Sequence, residues 1–559
     1  MTETTLYRFL VDLAQQDPGA RMFIDSLDDG YRQVSRREFL AEVDRCAALL
    51  HEQRIGDGDC IATWLPNWST ACAWQFAASA VGAHVIGVNT RYNVVEIQHI
   101  LSKARPRLLA MAHDFRNLDL LGRAQQAVAE MTDPQIPVVV PVPGPGQPVP
   151  KETTDYDLGA GTASLPQTGS DDADSGDADS GDGGTGLGFA PVGPDPDRLI
   201  VAFTTSGSTG LPKLAAHKES AVLWHARSVH ARLDFRRDDA MIGALPYSGV
   251  FGYSAAMGAL IGGASVLMHP VFDADLLLRE IEQFRATHYA GADDMLQRLR
   301  LAWNQDRRDL SSWRWVGIGD FEGKSRSIAA WMHGQFGTEV VGVYGSSELF
   351  ALTAFWSART SDPQIRWGGG GVPVSERIEV RIADPLDDRP VEQGQEGELQ
   401  FRGPNVVDAY LGDTGEGAKA FTRDGWFHSG DLGTLREDGG FVYVCRMGDV
   451  LRLKGFLVDP SEIEKRLAEH PSIHTAKTVG VMGEDGQRAI GYVTLRDDAG
   501  PVTPEELRTW CAEALARFKV PSAIEIIEQM PTTAGTNGTK IRAAELRSWA
   551  AQRYGAAAH

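Results

Sequence analysis

Between residues 31 and 110 the hydrophobic positions change period several times. "SRREFLAEVDRCAALLHEQ" repeats its apolar residues every three or four positions, the spacing of one helix face, and Ser35 with Glu38 has the form of a capping box at its start. "CIATWL" is an apolar run of strand length, "TACAWQFAASAVGA" is long enough for a second helix, and "HVIGVN" is the next strand. Helices alternating with apolar strands predict a parallel α/β sheet. Residues 197–445 resume that alternation. "GELQFRGPNVVDAYLG" and "GGFVYVCRMGDVLRLKGFLV" read as a small β-rich region. "DPSEIEKRLAEHPSIHTAKTVGVMG" and "TPEELRTWCAEALARF" then supply helices with strands between them, the pattern of a small α+β domain.

One stretch breaks the pattern. Residues 143–196 are rich in Pro, Gly, Ser and Asp and contain "DADSG" twice in succession. The aspartates do not form a calcium-binding loop, because no EF-hand spacing with its closing glutamate is present. A disordered acidic surface insertion with no part in catalysis is expected here.

Length and charge narrow the picture. A chain of 559 residues is too long for one core, so several domains are expected. Lys+Arg 54 against Asp+Glu 75 gives a net charge of −21, which weighs against nucleic acid or an anionic membrane held by general charge. An anionic substrate therefore needs a local site. No apolar run reaches the length of a membrane span, and the beginning "MTETTLYRFLVDLAQQ" is acidic and amphipathic, unlike a secretory signal. The cysteines Cys46, Cys60, Cys72, Cys445 and Cys511 show no metal spacing and are expected as reduced structural thiols of a cytoplasmic enzyme.

The candidate chemistry begins at "TTSGSTGLPK", residues 204–213, just after the strand-like Leu199–Phe203. Glycines let the backbone expose its N–H groups, hydroxyls add donors, and a lysine adds a point charge; together these are the parts of a phosphate cradle. The spacing is not that of the P-loop, since Gly207 and Gly210 are too close and Leu-Pro separates Gly210 from Lys213. The plainer alternative is a polar linker. Further along stand "YGSSE" (344–348) after the strand-like "TEVVGV", "HSGDLG" (428–433) with Asp431 in a tight turn, "CRMGDVLRLKGFLVDPSEIE" (445–464), and "PTTAGTNGTKIRAAEL" (531–546).

In this order and spacing the motifs, with the early "GAHVIGVNTRYNVVEIQHIL", resemble the adenylate-forming superfamily of acyl-CoA synthetases, peptide-synthetase adenylation domains and luciferases. The resemblance covers nearly the whole chain outside the acidic stretch. It implies a large N-terminal domain of several α/β subdomains with parallel-type sheets over 1–445, a hinge near 447–449, and a small mobile C-terminal lid over 446–559. It also implies the reaction: an acid oxygen attacks the α-phosphate of ATP, pyrophosphate leaves, and the acyl-adenylate passes to a thiol, usually coenzyme A. By the same resemblance Thr204, Thr205, Ser206, Gly207, Ser208, Thr209, Gly210 and Lys213 would grip the leaving phosphates. Tyr344, Gly345, Ser346 and Ser347 would face the nucleotide, and Glu348 would ligate Mg²⁺, a metal that prefers oxygen donors. Read structurally, Glu348 would only cap a following helix. Asp431 would accept from the ribose hydroxyls and Arg446 would reach the same ribose or the phosphate; read structurally, Asp431 would only form a turn and Arg446 a surface ion pair. Lys540, in a glycine-rich loop, would bridge carboxylate and α-phosphate as charge develops. Lys213, Glu348 and Lys540 are the catalytic candidates.

Some positions depart from the family pattern. Tyr247, Ser248 and Gly249 stand where bulk is common in the acid pocket, and "VGIGDFEG" replaces the usual adenine-side loop, so that Gly319 and Asp320 border the pocket. The bland alternative for Asp320 is a solvent-facing loop carboxylate. Thr539 is inserted between Gly538 and Lys540, Gly448 stands at the hinge, and Arg452 replaces a lysine. The expected function is ATP-dependent adenylation of a small polar or aromatic acid followed by transfer to CoA. A second reading keeps adenylation with an amine or carrier protein as acceptor, including nitrite activation to diazotise an aromatic amine; a third is a non-catalytic nucleotide binder. ATP, Mg²⁺ and CoA are the expected small molecules, nucleic acid and membrane are not expected partners, and a homodimer stays open.

Overall fold

The computed structural model describes the chain except residues 1–3, 151–152, 167–186, 206–211, 322, 358, 361, 386, 448–450, 454–455, 459, 484–485, 516, 518, 536–537 and 556–559, and except the side chains at 363–364, 414, 416, 418, 452, 456–457, 486, 533–535 and 538–540. Contacts divide it into two compact units. The first runs through the N-terminal two thirds to residue 379 and takes in 402–425; the second holds 380–401 and 426 onward. The expected hinge at 447–449 falls mostly outside the described residues.

The first unit is built on two sheets. In one, the strands Ala409–Tyr410, Leu214–Lys218, Leu199–Thr204, His84–Gly87, Cys60–Trp64, Leu108–Ala112 and Val138–Val142 lie side by side in that order. The five from Leu199–Thr204 onward are parallel, and the two edge strands at the other end run antiparallel. In the other, Glu339–Ser346, Trp315–Gly319, His288–Ala292, Ala240–Gly243, Ser265–Met268 and Arg21–Leu27 form a parallel block. Antiparallel strands flank it, Gly30–Ser35 on one side and Phe350–Phe355 on the other. The parallel α/β expectation holds for both interiors; the antiparallel additions are hairpins whose local pattern does not distinguish them.

Two helices are buried on every side. All residues of Ser69–Val81 are buried, as are Val250–Leu260 of the helix Val250–Ile261. Their small residues, Ala71, Ala73, Ala77, Ala78 and Ala80 in one and Gly252, Ala255, Ala256, Gly258 and Ala259 in the other, let backbones approach closely. A Cβ at Gly258 would lie 2.7 Å from Val229 Cγ1. The helix Arg36–Glu52 starts with the expected capping box between Ser35 and Glu38.

The stretch 143–196 is less uniformly apart from the fold than its composition suggests. Tyr156 Oη and His113 Nδ1 are hydrogen-bonded at 2.5 Å, Val139 bridges to Thr162, and Leu165 and Leu187 are each 5% exposed. A few apolar and aromatic residues at its two ends give it something to bury. Both copies of "DADSG" lie outside the described residues.

In the second unit, Phe427–Leu435 pairs antiparallel with Gly397–Arg402 and with Phe441–Arg446. The C-terminal α+β part has strands Ile473–Gly483, Gly486–Leu495 and Ala523–Ile526 in that order. Successive residues face opposite ways: Ala489 and Val493 pack with the helices Pro460–Ala468 and Pro504–Ala514, whereas Ile490 and Tyr492 pack with Ala543–Tyr554. All five cysteines are buried free thiols, as expected. Among the described residues no helix is long and apolar enough to cross a membrane.

Candidate active site

The strand Leu199–Thr204 leads into the loop and Leu214–Lys218 returns from it, with Thr204 opposite Leu214. Thr205 N donates to Lys213 O at 2.9 Å, and Lys213 N donates to Thr205 Oγ1 at 3.1 Å. These two bonds close the base of the loop. Ser206, Gly207, Ser208, Thr209 and Gly210 lie outside the described residues. Tyr92 Oη and Thr204 Oγ1 are 2.6 Å apart, and burial pushes the Tyr92 phenol up to about 12, partly offset by that bond. His99 Nε2 donates to Pro212 O at 2.7 Å. The Lys213 ammonium sits 5.3 Å from the centre of the Tyr410 ring.

The second motif meets the first. Tyr344–Ser346 end one strand, the chain turns at 347–349, and Phe350–Phe355 runs back with Ser346 opposite Phe350. Ser347 Oγ donates to Thr204 O at 3.1 Å, so the turn and the loop base are joined directly. His217 Nε2 donates to Ser347 O at 2.7 Å and Val407 N donates to Glu348 O at 2.6 Å. Glu348 is half-buried, and its carboxylate has no hydrogen-bond or ion-pair partner among the described residues. Because a strand rather than a helix follows, the helix-capping alternative for Glu348 does not apply.

The turn is held by crowding as well. A Cβ at Gly345 would lie 2.2 Å from Phe350 O, which demands glycine there. Phe350 and Leu352 have φ of 62° and 60°, a left-handed conformation that bulky residues avoid and that typically costs about 1–3 kcal/mol each. The Phe350 ring lies between His217, 4.0 Å away, and His225, 4.8 Å away. Burial pushes both imidazoles down to about 4, opposed by the hydrogen bonds they give to Ser347 O and Ala351 O.

The residues expected at the acid pocket, Tyr247 to Gly249, follow the strand Ala240–Gly243. Tyr247 N donates to Asn67 Oδ1 at 2.8 Å, and its ring lies 5.1 Å from Tyr253, which is 5.1 Å from Phe203. Burial raises the Tyr247 phenol. Ser248 backs onto the strand His84–Gly87, since a Cβ at Gly87 would lie 2.7 Å from its Cα. Gly249 is the residue before the helix Val250–Ile261. Gly319 ends the strand beside the one bearing Tyr344. Asp320 is exposed, as in the solvent-facing alternative, and accepts from Ser325 Oγ at 2.7 Å, so its charge is met by solvent and by the helix start at Ser325. The loop after it is tied to fully buried Asp293, which accepts from Phe321 N at 3.2 Å and Lys324 N at 3.0 Å. The segments beginning at 205, 244, 320 and 347 all follow the C-terminal ends of strands in the parallel blocks, where α/β sheets bind ligands.

In the second unit Asp431 lies not in a tight turn, as the glycines around it suggested, but within the strand Phe427–Leu435, opposite Arg446 on the neighbouring antiparallel strand. Arg446 Nη1 is 3.1 Å from Asp431 Oδ1 and also donates to Ser429 O. Lys540 is not in an open loop. The strands Thr532–Gly535 and Gly538–Ile541 form a hairpin with Lys540 opposite Thr533; the lysine side chain lies outside the described residues.

Tyr92, His99, His217 and Asp293 were not expected as site residues. Tyr92 and His99 do lie in "GAHVIGVNTRYNVVEIQHIL", a stretch that carries part of the resemblance. For His217 and Asp293 the pattern offers no signal, because each acts on a segment distant in sequence.

Comparison with known proteins identifies the family and fold. Residues 10–411 match the family described as AMP-binding enzyme, and residues 462–537 match the AMP-binding enzyme C-terminal domain. A 3-[(3aS,4S,7aS)-7a-methyl-1,5-dioxo-octahydro-1H-inden-4-yl]propanoyl:CoA ligase of Rhodococcus jostii is 29% identical over 91% of this chain and 93% of its own. A feruloyl-CoA synthase of an Amycolatopsis species is 28% identical over 90% and 91%. In fold, the chain is similar to ATP-bound MatB of Rhodopseudomonas palustris, with a TM-score of 0.80 at 21% identity over 99% of this chain and 100% of that one. The chain therefore belongs to the AMP-binding enzyme family and is an AMP-forming ligase of the adenylate-forming superfamily.

Proposed function

We propose that the protein adenylates a small polar or aromatic carboxylic acid with ATP and transfers the acyl group to coenzyme A. The observation that best supports this is the Ser347 Oγ to Thr204 O bond, which fastens the Glu348 turn to the base of the loop. In this reading the loop holds the β and γ phosphates through N–H groups and hydroxyls, with Lys213 at its mouth. Ser347 lies against the α-phosphate. Glu348, a hard carboxylate with no competing protein partner among the described residues, fits a Mg²⁺ ligand. Bound there, the metal would neutralise charge on the phosphate oxygens. Asp431 accepts from the ribose hydroxyls. Lys540 supplies positive charge where the acid oxygen meets the α-phosphate, and the segment from 446 on swings about 447–449 to exchange adenylation for thioester formation.

The two relatives are named for CoA ligation of acids bearing rings, which favours CoA over the amine and carrier-protein acceptors. Small residues at Ser248 and Gly249, backed by Gly87, favour a flat, short acid; Asp320, met by Ser325, no longer argues for a charged wall. Pyrophosphate release with acids from acetate to palmitate and with benzoate and its hydroxy and amino derivatives tests this. Steady growth of kcat/KM with chain length past eight carbons would sink the pocket assignment. Turnover of nitrite with an aromatic amine, and none of carboxylic acids with CoA, would replace it by the second acceptor class.

A further inference from the structure

Behind Asp431 lies a polar network that the reaction chemistry does not call for. Glu398, 5% exposed, accepts through Oε1 from Gly430 N at 3.0 Å. Its Oε2 accepts from His428 Nδ1 at 2.7 Å and from Gln400 Nε2 at 3.0 Å. Arg381 Nε donates to Gln400 Oε1 at 2.8 Å, which fixes the amide so that its NH₂ faces the carboxylates of Glu398 and Asp388, the latter at 3.0 Å. Gly430 itself has a φ of 69°, and a Cβ there would lie 3.3 Å from Arg446 Nη1. The carboxylates of Asp388 and Glu398 and the His428 ring lie within 4.8 Å of one another, yet Gln400 and His428 already supply the protons those oxygens need, so the cluster is complete as it stands.

We infer that Glu398 is a positioning residue for ribose recognition: by holding Gly430 N it fixes the left-handed irregularity in the strand Phe427–Leu435 that presents Asp431. The inference rests on the assignment of Asp431 to the ribose. Asp431 N donates to Ser429 Oγ at 3.0 Å, Ser429 Oγ donates to Leu399 O, and Met447 N donates to Gly430 O at 2.9 Å. The strand residues Glu398 and Leu399 thus hold this part of the strand from one side while Arg446 and Met447 hold it from the other. Of these anchors, only Glu398 uses a side chain to bind the glycine whose conformation sets where the next carboxylate points. A flexible Gly430 would still fold but would present Asp431 in several directions, and ordering it on binding costs affinity.

The test is the ratio of dissociation constants for 2′,3′-dideoxy-ATP and ATP, measured by calorimetry on the full chain with Mg²⁺. The parent protein should prefer ATP at least tenfold, because the dideoxy compound lacks the hydroxyls that Asp431 accepts from. Glu398→Asp keeps the charge but is one methylene short of Gly430 N; its preference should fall below threefold while its affinity for the dideoxy compound stays near that of the parent. A Glu398→Asp protein that loses affinity for both compounds equally, or keeps the parent ratio, overturns the inference. Asp431→Ala, which removes the acceptor, separates the two claims. If it abolishes the preference while Glu398→Asp does not, only the positioning role fails; if it keeps the preference, the ribose assignment fails and the inference with it.

Discussion

Thr205 and Lys213 bind each other twice across the mouth of the loop, N–H to O at 2.9 Å and N–H to Oγ1 at 3.1 Å. The two ends of the segment proposed to hold the phosphates are thereby fixed to each other. Thr205→Val keeps the β-branched shape but removes the acceptor for Lys213 N. A net hydrogen bond of this kind contributes roughly 1 kcal/mol, so KM for ATP should rise about three- to tenfold with kcat changed less. Steady-state kinetics at varied Mg·ATP measure this; an unchanged KM would show that the clasp does not shape the loop.

Gly345 faces the backbone of its own return strand. Gly345→Ala places a methyl carbon 2.2 Å from Phe350 O and 2.6 Å from Ala351 Cα, contacts that only a shift of the turn relieves. Ser347 and Glu348 sit on that turn. Overpacking of this kind costs about 1–3 kcal/mol or more, and kcat/KM should fall at least tenfold even in the folded fraction. Full activity in Gly345→Ala would contradict the placement of the turn.

Two buried histidines make stability depend on acid. His217 and His225 are held neutral by burial, with values of about 4 against an ordinary 6.5. A depressed value in the folded state means that the unfolded chain binds the extra protons. Their contribution is complete above pH 6.5 and is lost as pH falls from 6.5 towards 4, on the order of 3 kcal/mol per histidine. Urea unfolding of the parent and of His225→Gln across this window should show a shallower pH slope in the variant. Parallel slopes would refute the assignment.

Glu348 offers a separate handle on the metal. Glu348→Gln retains size and oxygen but not charge, so the Mg²⁺ concentration needed for half-maximal pyrophosphate release should rise about tenfold or more, with protein stability nearly unchanged. An unaltered Mg²⁺ requirement would remove Glu348 from the metal site.

Much of this was legible in the sequence, and the limits have physical causes. Periodicity found the helix Arg36–Glu52 and its capping box because both are local. It found Cys60–Trp64 and His84–Gly87 because buried parallel strands are uniformly apolar. It did not reveal that Phe350–Phe355 follows "YGSSE", since a strand entered through two left-handed residues carries no sequence period. Lys540 looked loop-borne because glycine and asparagine mark both loops and hairpins. The motif residues were identifiable by type and order. His217 under Ser347, Asp293 under the 320–324 loop and Glu398 under Gly430 were not, because each is joined to its target only by the fold.

The central claim is that this chain cleaves ATP at the α-phosphate and ends in a thioester. Phosphorus NMR of a reaction containing Mg·ATP, an aromatic carboxylic acid and CoA decides it most directly. The expected result is AMP and pyrophosphate in equal amounts, with an acyl-CoA formed one for one with AMP and turnover that slows sharply when CoA is withheld. ADP with inorganic phosphate, or AMP formation indifferent to both acid and CoA, would contradict the account.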